Sequence, residues 1–91
     1  MNKTQLIEQV ATKTDSSKTE AAVAVEAVLK TIEESLSRGG EIAITGFGKF
    51  HVAERNARQG RNPQTGETIQ IAASRVPRFS AGASLKQAVN R

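Results

Sequence analysis

From Ala53 to Gln64 the chain carries no large apolar residue, although alternating apolar residues stand on both sides of that stretch. Ile42 and Ile44, then Phe50 and Val52, alternate before it, and Ile69 and Ile71 alternate after it. A period of two marks extended strands with one face buried. Residues 49–76 therefore read as a long hairpin whose base is half-buried and whose tip is polar. A two-stranded ribbon without a third strand or a core is marginal in water, so its outer half is expected to be mobile when free.

The rest of the chain must supply the core, and it has little to supply it with. The 91 residues make one domain, only 37% of them apolar, with Phe47, Phe50 and Phe79 as the sole aromatics. A lone domain of this size buries roughly 60–65% of its unfolded surface and usually needs a staple. The absence of cysteine excludes disulfides and thiolate metal sites, and His51 is the single histidine. No metal or cofactor is expected, which leaves oligomerisation. No stretch approaches the roughly 20 apolar residues of a membrane span, and "MNKTQLIEQV" has no signal-peptide core. A cytoplasmic protein without membrane contact is expected.

Upstream of the strands the period is helical. Asn2 with Gln5, and Ser17 with Glu20, are capping boxes. Leu6, Ile7, Val10 and Ala11 form one apolar face; Ala22, Val25, Leu29, Ile32 and Leu36 form a heptad seam, widened by Ala21 and Val28. Gly39 and Gly40 end the second helix. Two helices of about 11 and 20 residues then pair antiparallel. After the hairpin, Pro77 is expected to stop the strand, Phe79 to point to the core, and Ser80 to cap a short helix carrying Leu85, Ala88 and Val89. The order is α, α, β, β, β, α: an α+β fold whose three-stranded antiparallel sheet extends into a ribbon arm.

Charge divides the chain unequally. Residues 1–48 hold five Lys/Arg against seven Asp/Glu, and residues 49–91 hold eight against two. Lys49, Arg55, Arg58, Arg61, Arg75 and Arg78 gather on the hairpin with only Glu54 and Glu67 among them. Such a lopsided set favours a polyanion, and the arginine fork suits phosphate. Arg55 and Arg61 share a strand face, with Arg58 on the other unless a bulge intervenes. From Val52 to Arg61 an extended strand spans roughly 30 Å, enough to reach around a duplex. Catalysis has no support: "TGFGKF" lacks the spacing of a phosphate-binding loop, and no carboxylate pair or histidine base accompanies it. Pro63, in "GRNPQTGE", suits a turn first and an apolar wedge second.

The stretch "GFGKFHVAERNARQGRNPQTGETI", together with "MNKTQLIEQVA" and "VPRF", resembles the bacterial histone-like DNA-binding proteins of the HU/IHF family along the whole chain. The resemblance implies an intertwined dimer: residues 1–48 as helical dimerisation base and first strand, 49–78 as the arm, and 79–91 as the C-terminal helix. It implies a dimer core of Val25, Leu29, Ile32, Leu36, Ile44, Phe47, Phe50 and Phe79. DNA contacts would come from Lys3, Arg55, Arg58, Arg61, Asn62, Pro63, Gln64, Thr65, Arg75 and Lys86, with Pro63 the minor-groove wedge at the arm tip. It further implies a nucleoid protein that binds and bends double-stranded DNA with little sequence preference, favouring nicked, bent or flexible sites. Gln70, Ala72 and Ala73 on the returning strand and Ala53 on the outgoing one stand where relatives are often more basic, so the grip would rest more on arginine.

Two other readings compete. One is an IHF-like subunit with a preferred site; the other is a structural dimer whose arms engage an acidic protein. Homodimer or heterodimer with a paralogue, and RNA as a competitor for DNA, are left open.

Overall fold

The computed structural model describes all residues, Met1–Arg91. In chain order the elements are α1 (Lys3–Thr14), α2 (Lys18–Ser37), β1 (Ile42–Ile44), β2 (Gly48–Arg55), β3 (Arg58–Arg61), β4 (Thr68–Ile71), β5 (Ser74–Ala81) and α3 (Ala83–Val89). This is the α+β arrangement expected. The chain divides into two compact units, Met1–Ser35 and Leu36–Arg91.

In the first unit both capping boxes are formed. Asn2 Oδ1 accepts from the Gln5 amide and Gln5 Oε1 accepts from the Asn2 amide, each at 2.9 Å. Ser17 and Glu20 reciprocate at 3.1 and 3.2 Å. Asp15 ends α1 in the left-handed region, with φ 53°, and its amide bonds back to Ala11 and Thr12. The chain then reverses, and Ala11, Ala21 and Val25 are the buried apolar residues where the helices meet. Lys3 Nζ lies 2.7 Å from Glu26 and ties the far end of α1 to α2.

The Ser17 cap makes a prediction about acid. Hydrogen bonds from the Ser17 amide, then from its hydroxyl, hold the exposed Glu20 carboxyl below its ordinary value. A group with a lowered folded value stabilises the fold above its ordinary range and loses that contribution as pH falls through the folded value. Ser17→Ala should cost about 1 kcal/mol at neutral pH. Thermal unfolding followed near neutrality and at about pH 3 should show Glu20→Gln losing less stability on acidification than the parent.

In the second unit the sheet order is β1-β2-β5, antiparallel throughout. Gly46, with φ 80°, makes the turn from β1 to β2, and the Phe47 amide closes it on Ile44 O at 2.9 Å. Phe79 packs against Phe50 and Phe47 at centroid distances of 4.8 and 5.5 Å. Tilted rings at such distances add to plain apolar burial.

Two expectations are corrected here. Pro77 does not stop the strand: β5 continues to Ala81, with Pro77 facing Val52. Sheet order allows it, because β5 is an edge strand of this sheet, and an edge strand tolerates proline where its N–H side faces away from the neighbouring strand. Ser80 does not cap α3 either. It remains in β5 opposite Lys49, its hydroxyl 3.0 Å from His51 Nε2, and Gly82 is the N-cap without a side-chain bond.

Candidate nucleic-acid interface

The expected long hairpin forms as two ladders in one register. In the first, Gly48 faces Ala81 and Arg55 faces Ser74; in the second, Arg58 faces Ile71 and Arg61 faces Thr68. Two residues separate the ladders on each strand, Asn56–Ala57 and Ala72–Ala73, so no bulge shifts the pairing. The ribbon has an elbow without a register slip. A cleft of about 350 Å³ opens there, lined by Glu54, Arg55, Asn56, Ala73, Ser74 and Arg75.

Register sorts the cations by face, because directly opposed residues share a side of the ribbon. Lys49, His51, Arg55 and Arg78 lie on one side of the β2–β5 ladder. Phe50, Phe79, Val52 and Arg75 lie on the other. In the outer ladder Arg61 stands with Gln59, Thr68 and Gln70, while Arg58 stands with Gly60, Ile69 and Ile71. A Cβ on Gly60 would come within 2.7 Å of Ile71 Cδ1, so glycine leaves the space this isoleucine fills. That small apolar cluster is all the packing the outer arm has.

The tip is closed by hydrogen bonds. The Asn62 amide donates to Glu67 O at 2.8 Å, and the Gly66 amide to Asn62 O at 2.7 Å. Asn62 Oδ1 accepts from the Gln64 amide at 2.9 Å, and Thr65 Oγ1 from the Glu67 amide at 3.3 Å. Gly66, with φ 72°, takes the left-handed position. Asn62 and Gly66 thus carry the turn chemistry, as their residue types predict. Pro63 has no N–H to satisfy and lies exposed at the apex with Gln64 and Thr65. Its ring is free to touch something else.

The remaining site residues belong to other elements. Lys3 is paired with Glu26, and Lys86 lies exposed on α3. Arg75 Nη2 donates to Ser37 O at 2.7 Å. Lys49 and Arg78 are cations of the hairpin outside the expected contact set. The ladder puts them on the same face as Arg55, and Lys49 lies 3.6 Å from Glu41. Their parity with Arg55, read through the hairpin pairing, is the signal that identifies them.

The whole chain matches known proteins. A family model described as bacterial DNA-binding protein covers residues 1–90. DNA-binding protein HU of Streptococcus thermophilus is 58% identical over 88 residues, 97% of each chain. HU-beta of Salmonella typhimurium is 54% identical over 90 residues, 99% of this chain and 100% of its own. The Anabaena HU–DNA cocrystal structure superposes with a TM-score of 0.90 at 45% identity, covering 98% of this chain and 97% of the other. HU from Thermotoga maritima gives 0.71 at 31% identity, covering 98% of each. By sequence over its full length and by fold, the chain belongs to the bacterial histone-like DNA-binding protein family of HU, whose members are architectural proteins and not enzymes.

Proposed function

We propose that this chain acts as a homodimer that binds double-stranded DNA with little sequence preference and bends it, as a component of the bacterial nucleoid. Each arm enters the minor groove, and Pro63 wedges between base pairs at the tip. Arg55, Arg58 and Arg61 line the groove, with Asn62, Gln64 and Thr65 completing the tip; Lys3 and Lys86 meet the flanking backbone. The observation that carries this reading is an exposed proline at the apex of a cationic ribbon, on a turn already closed by Asn62 and Gly66.

Exposed surface supports the dimer. A compact 9.7 kDa monomer would expose about 5,100 Å² by the usual size scaling, whereas this chain exposes 7401 Å². The arm takes part of that excess. Leu29, Ile44, Phe47 and Phe79 take another part, each more than 40% exposed in the single chain. Large apolar side chains left open in this number mark a surface that another subunit covers.

No base-reading helix stands out in this reading, so preference follows deformability: nicked or kinked duplexes are favoured because part of the bending cost is already met. The test is affinity and bend angle on intact and nicked duplexes across a salt series, beside sedimentation for the dimer. Steeply salt-dependent binding with a bend supports the reading; salt-independent binding, or none, sinks it.

The Lys3–Glu26 pair yields a further expectation. Lys3 must release Glu26 to meet phosphate, so Glu26→Gln should raise affinity at low salt by about two- to threefold, a gain that shrinks as salt screens it. A titration at two ionic strengths checks this, and unchanged affinity would remove Lys3 from the DNA contacts.

A further inference from the structure

We infer that Arg75 is a positioning residue: it latches the root of the ribbon to the C-terminal cap of α2 and so sets the direction of the arm, instead of gripping phosphate itself. The inference rests on the DNA-bending reading above, and it removes Arg75 from the DNA contacts that the family resemblance implies.

Helix C-termini leave carbonyls without partners and carry partial negative charge. The last turn of α2 has no basic residue of its own, and the chain leaves it through Gly39, with φ 79° and its amide on Leu36 O. Arg75, far along the chain, brings a cation to this end of the helix. Its Nη2 donates to Ser37 O at 2.7 Å, a charge-assisted length, and its Nη1 lies 3.7 Å from where a Cβ on Gly39 would stand. Glu54 faces Arg75 directly across the ladder and is the natural cross-strand partner, yet this short bond runs to Ser37.

Position gives the latch its consequence. Arg75 is one residue from Ser74, where the inner ladder ends and the elbow begins. Beyond it the arm is held only by its own pairing and the Ile69–Ile71–Gly60 cluster. The arm's direction is therefore decided at the pairs Glu54–Arg75 and Arg55–Ser74. Arg75 also lies on the ladder face of Phe50 and Phe79, opposite the face of Lys49, Arg55 and Arg78. The Nη2 bond to Ser37 O ties its guanidinium to the helix end on that face.

The experiment compares the parent protein, Arg75→Ala, Arg75→Lys and Arg55→Ala on a nicked duplex across a salt series, with bending read by end-to-end energy transfer. In the free proteins, NMR follows the Ser37 carbonyl carbon and amide exchange at Gly39. With Arg75→Ala we expect the Ser37 and Gly39 signals to change, the bend distribution to broaden, and affinity to fall about fivefold as the arm's ordering cost rises. The slope of log affinity against log salt should stay at the parent's value. Arg75→Lys, which keeps a cationic donor, should recover most of the bend. Arg55→Ala should lower the slope by about 0.9, as one lost phosphate contact does. The latch is overturned if Arg75→Ala lowers the slope in the same way with Ser37 and Gly39 unchanged. It is equally overturned if neither the free-protein signals nor the bend responds. A parent protein that does not bend DNA would refute the function proposed above, and the free-protein signals would then judge the latch alone.

Discussion

Pro63→Ala should remove most of the DNA bend and leave most of the affinity. The two properties separate because they come from different parts of the arm. Affinity comes from arginines that release counterions on meeting phosphate, and those side chains are carried by the ladders and not by the apex turn. Bending needs a wedge: unstacking a base step costs a few kcal/mol, and bending a short site costs roughly 1–6 kcal/mol more. Alanine has too little apolar bulk to hold a step open. It does keep the turn, since the bonds at Asn62, Gly66 and Gln64 involve no atom of the proline ring. Loss of the fixed φ costs the free arm only about 0.4–1 kcal/mol. Affinity for a nicked duplex should therefore fall by no more than about tenfold, ~1.4 kcal/mol, while the bend collapses toward that of the free nicked duplex. Energy transfer between labelled duplex ends measures the bend. An unchanged bend would make Pro63 a turn residue only and assign the bending to the arginines and the rest of the dimer surface.

Gly48→Ala should be strongly destabilising, the tightest of the glycine-to-alanine changes at Gly39, Gly46, Gly48, Gly60, Gly66 and Gly82. Its Cβ would stand 2.5 Å from Phe79 Cζ, 2.7 Å from Phe79 Cε1 and 2.6 Å from the Ser80 carbonyl oxygen. Phe79 is packed against both Phe47 and Phe50, so it cannot swing aside without breaking the aromatic cluster. Ser80 O belongs to the strand paired with β2, so it cannot retreat without opening the ladder. Overpacking of this kind costs about 3 kcal/mol. For a domain of this size that lowers Tm by roughly 10–20 °C, compared at equal protein concentration because a dimer's Tm depends on it. Gly46→Ala is the control. Its Cβ would meet only Ser84 Oγ at 3.7 Å, so the strain of φ 80° alone should cost about 1 kcal/mol. Equal losses in the two variants would mean the β2–β5 contact is looser than the geometry implies.

What could be read from the residues and what could not divides along chain distance. Asn2–Gln5 and Ser17–Glu20 were legible because a capping box closes within three residues. The tip was legible for the same reason: Asn62, Pro63 and Gly66 contain their own turn. Pro77 and Ser80 misled because their effect depends on a neighbour that local spacing does not name. Pro77 is harmless only because β5 is an edge strand, and Ser80 is kept in the ladder by Lys49 and His51 on another strand.

Local residue chemistry was enough for the first two helices and their capping boxes, the switch from helical to strand period after Gly40, the cationic ribbon and its proline apex. Each of these follows from side-chain chemistry and backbone preference within a few residues. Which partners these charges take is set by long-range pairing. Lys3 is held by Glu26, Arg75 by the Ser37 carbonyl, while Arg55 shares a face with Lys49 and Arg78. Such pairings depend on strand register and helix placement, which join residues distant in the chain, and no spacing rule along one segment encodes them.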